Sequence, residues 1–79
     1  MYFTYIIRSG LDGRYYYGST LDVHARLAAH NSSSSVYTKK FRPWYLVWYG
    51  AFTSRQKAED FEKYLKGGSG HAFSRKRVL

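Results

Sequence analysis

Seventy-nine residues allow one small domain, and 44% apolar with 20% aromatic content (nine Tyr, five Phe, two Trp) favours a packed core over disorder. The lack of Cys removes disulfide frameworks, thiolate zinc sites and thiol nucleophiles, and no run approaches the ~20 apolar residues that span a bilayer. Thirteen Lys and Arg against five Asp and Glu leave a net charge of +8, a field that attracts polyanions. Nucleic acid is the usual polyanion. An anionic membrane is the competing reading, but no basic amphipathic helix with a Leu- or Trp-rich face is evident, and simple solubility is the plain alternative. The start shows no charged-then-apolar leader, which points to a cytoplasmic chain.

Tyr2 to Ile7 is β-branched and aromatic and predicts a first strand. Ser9 to Gly13 is turn chemistry, and Tyr15-Tyr16-Tyr17 then predicts a returning antiparallel strand that ends at Gly18-Ser19-Thr20. A helix follows, with Thr20 or Asp22 as its N-cap and Val23, Leu27 and Ala28 turned to the core. Asn31 to Ser35 reads as a flexible loop. Trp44 to Tyr49 predicts a third strand, apolar on both faces, so both sides of the sheet should be partly covered; Pro43 suits its unpaired start. Thr53 and Gln56 match a capping box for a second helix, whose core side would be Ala58, Phe61 and Leu65. Gly67-Gly68-Ser69-Gly70 stops that helix, and His71 to Val78 would form a short basic one. The expected fold is α/β of the α+β type: a small three-stranded, mainly antiparallel sheet flanked by helices, in the order β-β-α-β-α-(α), as one domain over residues 1–79.

Several side chains stand out against this frame. Arg26 and His30 are four apart and share a helix face beside Val23 and Leu27. Polar groups at the edge of an apolar stripe need partners. Arg26 either has one or lays its stem on the core and points its head to water. Glu62 borders the buried side of its helix, where a carboxylate suits a hard divalent cation; the alternative is an exposed pair with Lys66, and Glu59 fits such a pair with Lys63. Tyr5 and Tyr16 fall on strands that should pair, and a phenol can orient a water or a phosphate oxygen. Tyr37, Thr38, Lys39 and Lys40 offer hydroxyl and ammonium donors to phosphates, unless they form an ordinary solvated loop. Arg75, Lys76 and Arg77 are a charge cluster of low specificity. The glycine run lacks the spacing of a phosphate-binding signature, and three scattered His without Cys do not make a zinc site.

Tyr5, the run Tyr16-Tyr17-Gly18-Ser19-Thr20, Arg26, His30-Asn31 and Glu62 together resemble the GIY-YIG nuclease family, from Tyr2 to about Lys66. The chain looks closest to small standalone bacterial members whose single domain is similar to the nuclease domain of the excinuclease. Phe3-Thr4-Tyr5 stands where the motif has Gly-Ile-Tyr, Tyr16-Tyr17-Gly18 where it has Tyr-Ile-Gly, and no Asn follows Asn31. The resemblance implies a metal-dependent endonuclease acting on DNA, structure-specific in repair or recombination, with Tyr5, Tyr16, Arg26, His30 and Glu62 as its catalytic set. Glu62 would hold Mg2+ or Mn2+. Arg26 would clamp the scissile phosphate, a tyrosine would position water, and His30 would relay a proton. Tyr37, Lys39, Lys40, Arg42 and the tail Arg75, Lys76 and Arg77 would grip flanking nucleic acid. A separate targeting protein is expected as a partner, a membrane is not, and the oligomeric state is left open. The alternative is a nucleic-acid-binding module that is non-catalytic or inert without a partner.

Overall fold

The computed structural model describes residues 1–32 and 36–67. Its centre is β1 (Tyr2–Ser9), flanked by β2 (Tyr15–Thr20) and β3 (Trp44–Phe52) in the sheet order β2-β1-β3. Both pairings are antiparallel. Thr4, Tyr5, Ile6 and Ile7 are all buried, so β1 is covered on its two faces. Successive side chains on a strand point to opposite sides. Tyr5 and Ile7 accordingly join Trp44, Val23 and Leu27 on one face. Thr4 turns to the other, where its hydroxyl donates to the carbonyl of Ala58 at 2.6 Å.

Two helices supply that cover. α1 (Val23–Asn31) lies on the Tyr5 face, and α2 (Arg55–Lys66) on the Thr4 face, where Phe61 meets the rings of Trp48 and Phe52. The observed order, β-β-α-β-α with a three-stranded antiparallel sheet, is the one expected from the sequence. A 3₁₀ turn, Thr38–Phe41, leads into β3.

Local details depart from expectation in instructive ways. β3 runs on to Phe52, but as an edge strand it leaves Tyr45, Leu46, Val47 and Tyr49 exposed. Both sides of the sheet are covered, as expected, by α1 and α2, but the strand buried on both faces is β1 and not β3. A register shift between Ile6 and Ile7 pairs Ile6 with Trp48 and Ile7 with Leu46, leaving Val47 as the extra residue of a bulge. Asp22, rather than Thr20, caps α1 by accepting from the Ala25 amide, and Ala28 faces solvent while His30 is the buried residue of the helix. The cap of α2 falls one residue later than the Thr53–Gln56 spacing implied. Ser54 accepts from the Lys57 amide, and Gln56 donates to Asp60 instead. Glu59 pairs with Arg55 at 2.9 Å and not with Lys63. Gly67 closes α2. The expected helix from His71 to Val78 lies outside the described residues.

One side chain joins the end of α1 to the start of β3. Asn31 Oδ1 accepts from the Trp44 amide at 2.6 Å, while its Nδ2 donates to the Trp44 carbonyl at 3.0 Å. The carboxamide imitates a strand rung and fixes Trp44, whose indole N–H reaches the Thr38 carbonyl at 2.7 Å. Removing such a part-buried pair of bonds is expected to cost about 1–3 kcal/mol. Asn31→Ala should therefore lower the urea midpoint of unfolding with little change in slope, and an unchanged midpoint would contradict this role.

Candidate active site

Tyr5 and Gly18 are direct partners across the β1–β2 ladder, and Tyr16 lies opposite Ile7 on the same face. A Cβ placed on Gly18 would stand 2.6 Å from Tyr5 Cζ, well inside contact distance. Glycine is required there because the phenol lies directly against the backbone of β2. From that position the Tyr5 hydroxyl meets His30 Nε2 at 2.7 Å, across 25 residues of sequence. His30 Nδ1 is in turn 2.9 Å from the hydroxyl of Thr38. The imidazole is only 1% exposed and Thr38 is fully buried, so both ring nitrogens are satisfied inside the protein. The ring of Tyr16 stands edge-on to His30, with centroids 4.9 Å apart.

The electrostatics follow from burial. Loss of solvent pushes the Tyr5 hydroxyl up to about 12; the neighbouring Arg26 opposes this, while Tyr16 and Glu62 reinforce it. His30 is pushed down to about 4, first by burial and then by the positive charge of Arg26. At neutral pH the pair is therefore a protonated phenol against a neutral imidazole. Arg26 is held more firmly protonated, chiefly by the neighbouring Tyr5 hydroxyl and despite some desolvation. Its exposed guanidinium thus borders both tyrosines.

Glu62 is the remaining member of the expected set. Its side chain is 20% exposed, and Oε2 accepts from Lys66 Nζ at 2.7 Å. The i,i+4 ion pair that the spacing allows is present. The charge of Glu62 is the smallest of the influences on Tyr5, and among the described residues no hydrogen bond or ion pair joins the carboxylate to Tyr5, His30 or Arg26. A helix-surface pair of this kind is worth only ~0.3–0.5 kcal/mol and can be exchanged for a stronger cation. Among the described residues no group of three or more His, Asp or Glu could enclose a metal ion. A lone carboxylate still suits Mg2+, which keeps several waters and commonly uses substrate phosphate as a ligand.

Tyr37, Lys39, Lys40 and Arg42 are all exposed on or beside the 3₁₀ turn. Arg75, Lys76 and Arg77 lie outside the described residues. Thr38 differs from its neighbours. Its place in the sequence suggests a donor open to phosphate, but its hydroxyl is buried beneath His30. Sequence reasoning assigns no such structural role to Thr38, Asn31 or Arg14. The second nitrogen of a buried histidine demands a partner, but nothing in the chain order says that Thr38 supplies it.

A family model described as the GIY-YIG catalytic domain matches residues 1–76. The chain belongs to the GIY-YIG family, a nuclease-type fold. Among curated relatives, a UPF0213 protein of Streptococcus pneumoniae serotype 4 is 41% identical over 56 residues, covering 70% of this chain and 57% of the relative. The UPF0213 protein YazA of Bacillus subtilis (strain 168) is 33% identical over 66 residues, covering 82% and 66% respectively. The matched region thus spans less than two thirds of either relative. No solved structure matches.

The depressed pKa of His30 has a consequence for stability. The unfolded chain takes up this proton near the ordinary 6.5, whereas the folded chain resists it until about 4. The contribution is present above pH 6.5 and is lost as pH falls towards 4. Urea midpoints should decline across that window, and the decline should be shallower in His30→Gln. An identical decline in both proteins would contradict the assignment.

Proposed function

We propose that this protein hydrolyses phosphodiester bonds in DNA with the help of a divalent cation. The observation carrying this reading is the buried Tyr5–His30 contact with the Arg26 guanidinium beside it. Attack on a phosphodiester builds negative charge on the non-bridging and leaving oxygens, and a fixed cation answers that charge best when it is already in place. Arg26 is such a cation, planar and permanently charged, and it takes the non-bridging oxygens through its paired donors. Membership of the family and the net charge of +8 support DNA as the polyanion.

Tyr5 holds the attacking water in line through its hydroxyl. With its proton on Nδ1, His30 donates to Thr38 and accepts from Tyr5. As the water gives its proton to the Tyr5 oxygen, the phenolic proton moves to His30 Nε2. A phenol at about 12 and an imidazole at about 4 are an unhelpful pair of starting values. Their environment must therefore change when DNA arrives, and the negative phosphate does this by favouring the imidazolium. Glu62, with water and a DNA phosphate, would hold Mg2+ or Mn2+, which supplies charge neutralisation and a more acidic water. Tyr16 borders the same space and steadies the imidazole edge. Lys39, Lys40 and Arg42, together with Arg75, Lys76 and Arg77, hold flanking phosphates and make binding salt-sensitive.

The Glu62–Lys66 ion pair favours a second reading, in which the carboxylate is purely structural and the chain binds nucleic acid without cutting it. One experiment separates the two. Branched, flapped and plain duplex DNA are incubated in Mg2+ with the parent, Glu62→Ala and Arg26→Ala. Cleavage by the parent should fall by about 100-fold or more in each variant. Salt-dependent binding with no metal-dependent product in any of the three proteins supports the non-catalytic reading, and equal cutting by all three points to contamination.

A further inference from the structure

Beside Tyr16 lies an aromatic ring that the proposed chemistry leaves unused. Tyr37 is 49% exposed, with its centroid 6.2 Å from Tyr16 and 5.2 Å from Phe41. Its hydroxyl accepts from Arg14 Nη1 at 3.1 Å. Arg14 is itself fixed, lying 3.6 Å above the Phe41 ring centroid and bonded to Asp12 at 2.8 Å. An exposed ring is thus held in place at its edge and at its tip by residues from the β1–β2 turn and the 3₁₀ turn. Exposed tyrosines are common, and one alone means little. This one is preorganised and adjoins the candidate active site.

With its hydroxyl held by Arg14 at the surface and about half of its area exposed, the Tyr37 ring is open to a ligand. Bases in a continuous duplex are already stacked above and below, so they have no free face to give. An unpaired base does, and stacking it on an aromatic ring is favourable whatever its identity. Lys39, Lys40 and Arg42 follow directly and are exposed, placing cations where the adjoining backbone would run. We infer that Tyr37 is a stacking platform for an unpaired nucleotide next to the scissile phosphate. The substrate class of the site is then DNA carrying a displaced or single-stranded nucleotide, in preference to perfect duplex. This rests on the nuclease reading of the same site and replaces a phosphate-binding role for the Tyr37 hydroxyl with a base-binding role for its ring.

The test is equilibrium binding in EDTA, so that no cleavage is needed. Fluorescence anisotropy is followed for a single-stranded oligothymidine and for a blunt duplex of equal length, with the parent, Tyr37→Ala, Tyr37→Phe and Tyr37→Trp. Tyr37→Ala should weaken single-strand binding by about 10-fold or more, as expected for loss of one stacked base. Its duplex binding should stay within about twofold, since phosphate contacts are untouched. Tyr37→Phe and Tyr37→Trp should keep parental single-strand affinity. Equal losses on both DNAs, no loss in Tyr37→Ala, or loss in Tyr37→Phe matching Tyr37→Ala would each overturn the inference. Absence of cleavage in Mg2+ with the single-strand selectivity intact would instead sink the nuclease reading and leave the platform standing.

Discussion

The hydrogen bond between the Tyr5 hydroxyl and His30 Nε2 is the interaction on which the rest of the site depends. It joins the central strand to the far end of α1, and everything around it can be understood as what makes it possible. Gly18 leaves room for the phenol, Thr38 satisfies the other ring nitrogen, and Asn31 ties the next residue of the helix to Trp44. A buried polar pair lacking those partners would be costly; with them it specifies one arrangement of strand, helix and turn.

Burial also sets the chemistry. It keeps the phenol protonated and the imidazole neutral, so positive charge at the site belongs to Arg26 and not to His30. The division is useful for a polyanionic substrate. A permanent cation stands at the surface and a neutral imidazole lies behind the hydroxyl, the arrangement that the proposed reaction would use. Glu62 comes from the helix on the other face of the sheet, and its charge is the smallest of the influences on Tyr5. Tyr37 lies beside Tyr16 at the start of the 3₁₀ turn, and as the inferred stacking platform it would extend the site from phosphate towards a neighbouring base.

Much of the fold was legible because local signals agreed with each other. Aromatic and β-branched residues marked β1, the glycine–aspartate turn marked the hairpin, and three-four spacing of Ala58, Phe61 and Leu65 marked the buried side of α2. Order along the chain says less about which strand becomes central. Trp44 to Tyr49 is apolar on both faces and implied a sheet covered on both sides, which it is, yet β3 itself is an edge because β1 pairs on both sides. The site was legible only in part for the same reason. Tyr5, Tyr16, Arg26 and His30 could be nominated from strand and helix spacing together with the family resemblance. Thr38, Asn31 and Arg14 act across the fold, and their partners are set by tertiary contacts that no window of sequence contains. Capping residues slipped by one position because Thr53 and Ser54 offer nearly equivalent hydroxyls, and only backbone geometry chooses between them.

If the Tyr5 hydroxyl organises hydrolysis, its removal should separate binding from cutting. The most direct measurement is the single-turnover rate of DNA cleavage in Mg2+ for Tyr5→Phe beside the parent, with DNA affinity measured on the same preparations. Retained affinity with a rate lowered by about 100-fold or more would fit a positioned water and proton path. A Tyr5→Phe protein that is folded, binds DNA and cuts within a few-fold of the parent rate would contradict the account.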